Sequence, residues 1–404
     1  MVAILAIALS ACGTPPSPSV APPTPSPSSP ATLTYDDIEK QVAAMRGLNP
    51  TKTVVRKVID EAELRSIFTE LFDKETPPEY LAANERLYKA LGLMPQDGDL
   101  RDLSLDLLSG GVAGFYREDE GQLYVVSRSG ELGGNELVTF AHEFDHALQD
   151  QNFPVFKDQK DVLDRTDWIL ARKAVSEGDA TLLMTLWMIG HLSMDQLKEV
   201  VAAGSDPQQA ALLERMPAIM SETLMFPYTT GATFVQAIHS TDGWPGVDRM
   251  YDRLPESTEQ ILHSEKYEAA EAPIAVDLPD DLAARLGSGW SVPLEDTFGE
   301  LQTGIWLREG GVERAAADAA AAGWGGDRLA VVDGPGDSWA LAWQTAWDTP
   351  ADAAAFETAA STALGSAQGS ARVFPGEGDS TRWIVIADGD DTLGRVANVL
   401  GLAG

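Results

Sequence analysis

The chain has 404 residues, of which 29 are Lys or Arg and 62 are Asp or Glu, for a formal net charge of −33. A field of that sign repels phosphate and argues against nucleic acid as a partner; solubility is the plain account of the charge, and a taste for cationic substrates or high salt the sharper one. With a single cysteine, no intramolecular disulfide is available.

Residues 2–9 are apolar and run into Leu9-Ser-Ala-Cys12, which resembles a bacterial lipobox. Residues 1–12 are therefore expected to be a lipoprotein signal whose Cys12 becomes the lipid anchor. Residues 13–31, rich in Pro, Ser and Thr and without charge, are expected to be a tether that buries no core. The expected location is extracytoplasmic, on the bacterial cell membrane. The other account makes Cys12 an ordinary thiol, and no Lys or Arg precedes the apolar run. No later apolar run reaches the ~18 residues of a spanning helix, so no transmembrane helix is expected in the mature protein.

After the tether, the pattern predicts a helix over 35–48, a strand over 51–59 in which Val54, Arg56 and Val58 alternate, and helices over 60–93 broken at Pro77-Pro78. A short strand over 123–126 follows, and residues 116–127 form a candidate wall of a substrate cleft. The alternative for 114–126 is an ordinary hairpin turning at Asp119-Glu120-Gly121.

The most informative segment comes next. His142-Glu-Phe-Asp-His146 places two imidazoles one helical turn apart, where both rings reach one metal ion while Glu143 is offset toward a water on that ion. The flanks predict a helix, with Asn135 as N-cap, Glu136 in the first turn, and Leu137, Phe140, Ala141, Phe144 and Leu148 as an apolar stripe. His142, Asp145, His146 and Gln149 fall on another face, expected to line a cleft. A surface helix that happens to carry two histidines is the alternative.

Zinc requires a third protein ligand. A metzincin would have a third His at 152, but the chain has Asn152. An acid on a following helix is the remaining source, and Glu177 in Ser176-Glu-Gly-Asp-Ala180 supplies one, after a loop through Pro154 and within an antiparallel helix over 161–190. Gly178 inside that helix costs ~1 kcal/mol against Ala, so a close approach to the backbone is expected there. Otherwise Glu177 belongs to a solvated stripe with Arg172 and Lys173.

The runs Phe140-Ala-His-Glu-Phe-Asp-His-Ala-Leu-Gln-Asp-Gln151 and Glu177-Gly-Asp-Ala180 resemble the gluzincin branch of zinc metallopeptidases, in particular bacterial proteins with a peptidase-MA-like domain. Gly114-Phe-Tyr116, Pro227-Tyr228-Thr-Thr-Gly231 and 255–267 are similar to that group as well, and the likeness covers about 32–284. It implies zinc held by His142, His146 and Glu177, with Glu143 as general base for hydrolysis of a peptide bond in a protein or peptide substrate. It also implies a donor to the oxyanion, for which Tyr228 is the candidate, with a satisfied core tyrosine as the other reading. His263 and His239 are second choices, and His191 reads as a helix-end histidine. Where many gluzincins have an Asp that orients a zinc histidine, this chain has Thr181, which leaves Asp179 and Asp145 as candidates for that task.

Further helices are expected over 193–199, 206–224, 229–239 and 247–254. From about 286 the texture changes to helices over 297–308, 312–322, 351–363 and 392–400 with strands over 329–332, 339–345 and 382–388. Trp324, Trp339, Trp343, Trp347 and Trp383 serve either a core or a binding surface. The expected fold is α+β: a helix-rich zincin-like catalytic domain with a small sheet over 32–285, and a smaller α+β domain over 286–404. The expected function is a membrane-anchored zinc metallopeptidase, with internal cleavage of the substrate chain (an endopeptidase) as the expected mode. The alternatives are a peptidase-like lipoprotein that binds rather than cuts, and hydrolysis of a non-peptide amide by the same metal water.

Overall fold

The computed structural model describes residues 33–127, 133–153, 162–204 and 207–402. Cys12, the tether, Pro154 and the expected helix start at Asp161 lie outside these residues. Among them no helix is long and apolar enough to cross a membrane.

The fold is α+β, mostly helical with two small sheets. The first sheet is built from β1 (Val55–Ile59), β2 (Gly114–Arg117) and β3 (Gln122–Val126) in the order β1-β3-β2, with β1 parallel and β2 antiparallel to β3. Helices α1 (Tyr35–Arg46), α2 (Glu61–Glu75), α3 (Pro78–Ala90) and α4 (Leu100–Gly111) precede β2. α1 starts at a capping box in which Thr34 and Asp37 satisfy each other's backbone donors, and α3 takes Pro78 at its first position, where the missing N–H is harmless. Helix α4 escaped the sequence pattern.

The long helices α5 (Gly134–Asn152) and α6 (Thr166–His191) cross behind this sheet. After α7 (Met194–Ala203) and α8 (Pro207–Arg215), α9 (Ala218–Phe226) runs through a π-helical turn (Pro227–Gly231) into α10 (Ala232–Asp252), which bends at Gly243 (φ 65°) just before Pro245. The bend explains why the sequence pattern reads as two helices there. Short helices α11 (Thr258–Leu262), α12 (Ser264–Glu268) and α13 (Leu282–Leu286) complete this part.

The second sheet is wholly antiparallel, in the order β4-β5-β6-β8-β7, from β4 (Ser291–Asp296), β5 (Trp324–Asp333), β6 (Trp339–Trp347), β7 (Ser370–Pro375) and β8 (Thr381–Ala387). Helices α14 (Gly299–Glu309), α15 (Arg314–Ala321) and α16 (Pro350–Ala363) cover one face and α17 (Asp390–Val399) the other. All five tryptophans named above are core residues. Leu87, Leu91 and Ile219 from the helical part share one apolar cluster with Trp306, Trp343 and Phe356, so the core is continuous across the junction.

Candidate metal centre

α5 begins two residues earlier than the sequence suggests. Gly133 is its N-cap and its N–H donates to the Glu136 carboxylate at 3.0 Å, so Asn135 lies inside the first turn rather than capping it. The expected division into an apolar and a chemical face also gives way. Every residue from Gly134 to Gln149 except Asn135 and Glu136 is buried, because α6 and α7 pack on the side away from the sheet.

α6 brings Glu177 across to the histidines through a contact between small residues. A Cβ on Gly178 would stand 2.6 Å from the Gly231 carbonyl oxygen, and one on Gly231 would stand 2.5 Å from that of Ala174. The close backbone approach expected at Gly178 is therefore made by the π-helical turn. This turn holds Tyr228, whose ring centre lies 6.3 Å from that of His142. π-helical turns are frequent at functional sites because the wider turn re-aims a side chain.

His142 Nε2, His146 Nε2 and Glu177 Oε2 converge in a nearly equilateral triangle, with 3.0 Å between the two nitrogens and 3.2 Å from each to the carboxylate oxygen. All three residues are buried. A tetrahedral zinc with bonds of about 2.0–2.1 Å spaces its ligands by about 3.3 Å, so the donor set fits that ion in type and in spacing.

The outer ring nitrogens agree with this. Gln149 Nε2 donates to Asp145 Oδ2 at 2.8 Å and to the Ser176 carbonyl at 3.1 Å, which turns its Oε1 toward His146 Nδ1 at 3.2 Å. A proton on Nδ1 leaves the Nε2 lone pair facing the triangle. Gln149, three residues beyond the second histidine, thus does the orienting for which Asp145 and Asp179 were candidates; Asp145 acts through it. Asp179 instead receives the Arg46 guanidinium (3.0 Å) and the Tyr251 hydroxyl (2.8 Å). The backbone of Ala180 is the group on hand for the His142 ring, and Thr181 Oγ1 is buried without a partner.

Both carboxylate oxygens of Glu143 are buried and make no hydrogen bond of ordinary length; burial, opposed by His146 and by the nearby Tyr116 backbone, pushes its pKa up to about 8. Burial also depresses His142, whereas for His146 the Glu177 carboxylate outweighs burial and holds the imidazole at about 9. Burial opposes the charge on Glu177 too, but the two histidines outweigh it and hold that acid at about 2. Nearby, β2 rather than β3 is the sheet edge. Val126 N–H donates to the Ala113 carbonyl at 2.8 Å, so the hydrogen-bonded pairs fall on alternate residues and the backbone groups of Gly114 and Tyr116 point away from β3. Gly114 lies against Glu143, where a Cβ would stand 3.4 Å from that residue's Cγ.

The remaining histidines have other settings. His263 Nε2 bonds Glu300 at 2.8 Å, His239 packs on Trp244, and His191 ends α6 with its ring stacked on Trp187. A cavity of 360 Å³ opens beside the triangle, with Glu177 and Tyr228 in its wall. A second convergence of acids, Glu259, Glu271 and Asp348, is filled by the Lys266 ammonium at 2.6, 3.0 and 2.6 Å.

Residues 287–398, the segment that carries the second sheet, match a family described as Domain of unknown function (DUF8575). No curated protein and no solved structure matches the chain.

Proposed function

We propose that the protein is a zinc metallopeptidase of gluzincin type, with a zincin-like catalytic domain, that cuts peptide bonds in a protein or peptide substrate. The observation that carries this reading is the buried triangle of two Nε2 atoms and one carboxylate oxygen beside a Glu143 whose oxygens make no hydrogen bond of ordinary length. In place of the proton that Glu177 holds on His146, a cation at the triangle would be met by three donor atoms at ligand spacing.

His142, His146 and Glu177 would hold zinc, which supplies Lewis acidity toward a carbonyl and toward water at neutral pH. Glu143 accepts a proton on one carboxylate oxygen as water attacks, and returns it to the leaving amine. A dication at the triangle favours the ionised form of Glu143 and so opposes the effect of burial. Tyr228 donates its hydroxyl proton to the developing oxyanion. The outward N–H and C=O groups of Gly114 and Tyr116 pair with an extended substrate, adding a strand to β2. Anchoring through a lipidated Cys12 belongs to the proposal on sequence grounds alone; its test is release of Cys12→Ser protein from the membrane fraction.

Zinc content of purified protein and cleavage of casein by wild type and Glu143→Gln test the reading. Stoichiometric zinc with turnover that depends on Glu143 is expected. Bound zinc with equal turnover in both proteins would leave the alternative of a binding module at the envelope.

A further inference from the structure

The cavity beside the metal centre has a shape and a charge that the hydrolytic step does not require. Thr166, Leu170, Lys173 and Glu177 recur at helical spacing along one face of α6, so the wall they form runs about 16 Å from the triangle toward the start of that helix. The rest of the lining is largely apolar, with Phe72, Leu81, Leu107, Leu108, Met220 and Leu224 among it. Lys173 stands in this wall one turn from Glu177. Its ammonium makes no ion pair and no hydrogen bond among the described residues, and the residue is only partly exposed. Burial lowers its pKa, opposed by the charges of Glu177 and Glu75. Glu177 is committed to the two histidines, and Lys173 is left as a cation facing an apolar chamber without a direct counter-ion. Such a group is costly unless a ligand satisfies it.

We infer that Lys173 is the anchor for a carboxylate on a ligand whose apolar part fills the chamber, and that this ligand is the C-terminal residue of a peptide with a bulky apolar side chain. The inference rests on the peptidase reading for the source of the carboxylate. The Lys173 backbone lies one helical turn, about 6 Å along the axis, from that of the proposed metal ligand Glu177. That spacing suits a bond cut one residue from the chain end. A fatty acid offers the same chemistry, and the two sources are separable.

The test is calorimetric titration of zinc-loaded, full-length Glu143→Gln protein, in which turnover does not interfere, with acetyl-Gly-Leu-Phe, with its C-terminal amide and with laurate. The free acid is expected to bind at least tenfold tighter than the amide. Lys173→Met should erase that preference, and Lys173→Arg should keep most of it, which separates loss of the charge from a failure to fold. Equal binding of acid and amide, or a preference unchanged in Lys173→Met, overturns the inference. So does Lys173-dependent binding of laurate without binding of the peptide. If wild type cleaves no peptide while the Lys173-dependent preference stands, the peptidase reading falls and the anchor survives.

Discussion

Two acid clusters in this chain look alike in a list of residues and differ in what neutralises them. At Glu259, Glu271 and Asp348 the Lys266 ammonium lies within 3.0 Å of every carboxylate, so the protein supplies its own cation. At His142, His146 and Glu177 no lysine or arginine forms an ion pair with the set among the described residues, and Gln149 orients the His146 ring toward it. Donor convergence is common to both; a centre open to a foreign ion is particular to the second.

The strongest way to sharpen this contrast is Glu143→Gln, expected to cut peptide turnover by about 10²- to 10⁴-fold with zinc content unchanged, as measured by initial rates and elemental analysis. Glu259→Gln should move neither. Next, Glu177→Ala should abolish stoichiometric zinc, whereas Glu271→Ala should leave it intact; retention of full zinc affinity by Glu177→Ala would remove that residue from the ligand set. Gln149→Leu, which frees the His146 ring without touching a ligand, should weaken zinc binding about 10- to 100-fold in a competition assay with a chelator. Removing zinc with excess chelator should lower the thermal midpoint of wild type, because ligand binding stabilises the folded state by about 2.7 kcal/mol at a hundredfold excess over Kd. Lys266→Met should reduce stability by about 1–3 kcal/mol through the buried Glu259 carboxylate it abandons, and the chelator-induced shift should persist in it.

The sequence pattern shows the paired histidines, Glu177 and the α+β composition because helical spacing and side-chain chemistry are local properties. The need for a close approach at Gly178 is legible for the same reason, as a glycine in the middle of a helix has few other uses. The partner in that approach, Gly231, lies 53 positions away and cannot be read from spacing. Gln149 escapes notice because its value comes from Ser176 and Asp145 together, a relation that exists only once α5 and α6 have packed. The strands β4 and β7 are missed since both lie at sheet edges and their residues are mostly half-exposed, so little apolar alternation marks them. Arg46, at the end of α1, is buried against Asp179 and Asp248 and packs on Trp244, a role that its place in the sequence does not announce. That placement ties α1 to the helix that carries Glu177.

The π-helical turn has a consequence for how this chain tolerates insertions and deletions. From Ala218 to Asp242 the backbone is one continuous helical path, and the turn at Pro227–Gly231 holds one residue more than an α-helical turn would. Deleting one residue within the turn lets the path close as regular α-helix with little net rotation, whereas deleting one from α9 rotates everything downstream by about 100°. Gly231 would then leave Ala174 and Gly178, and a larger side chain would arrive where only a hydrogen atom fits. A segment that looks like a neutral stretch of helix is in this sense a frame, in which length is constrained more tightly than the identity of most of its residues.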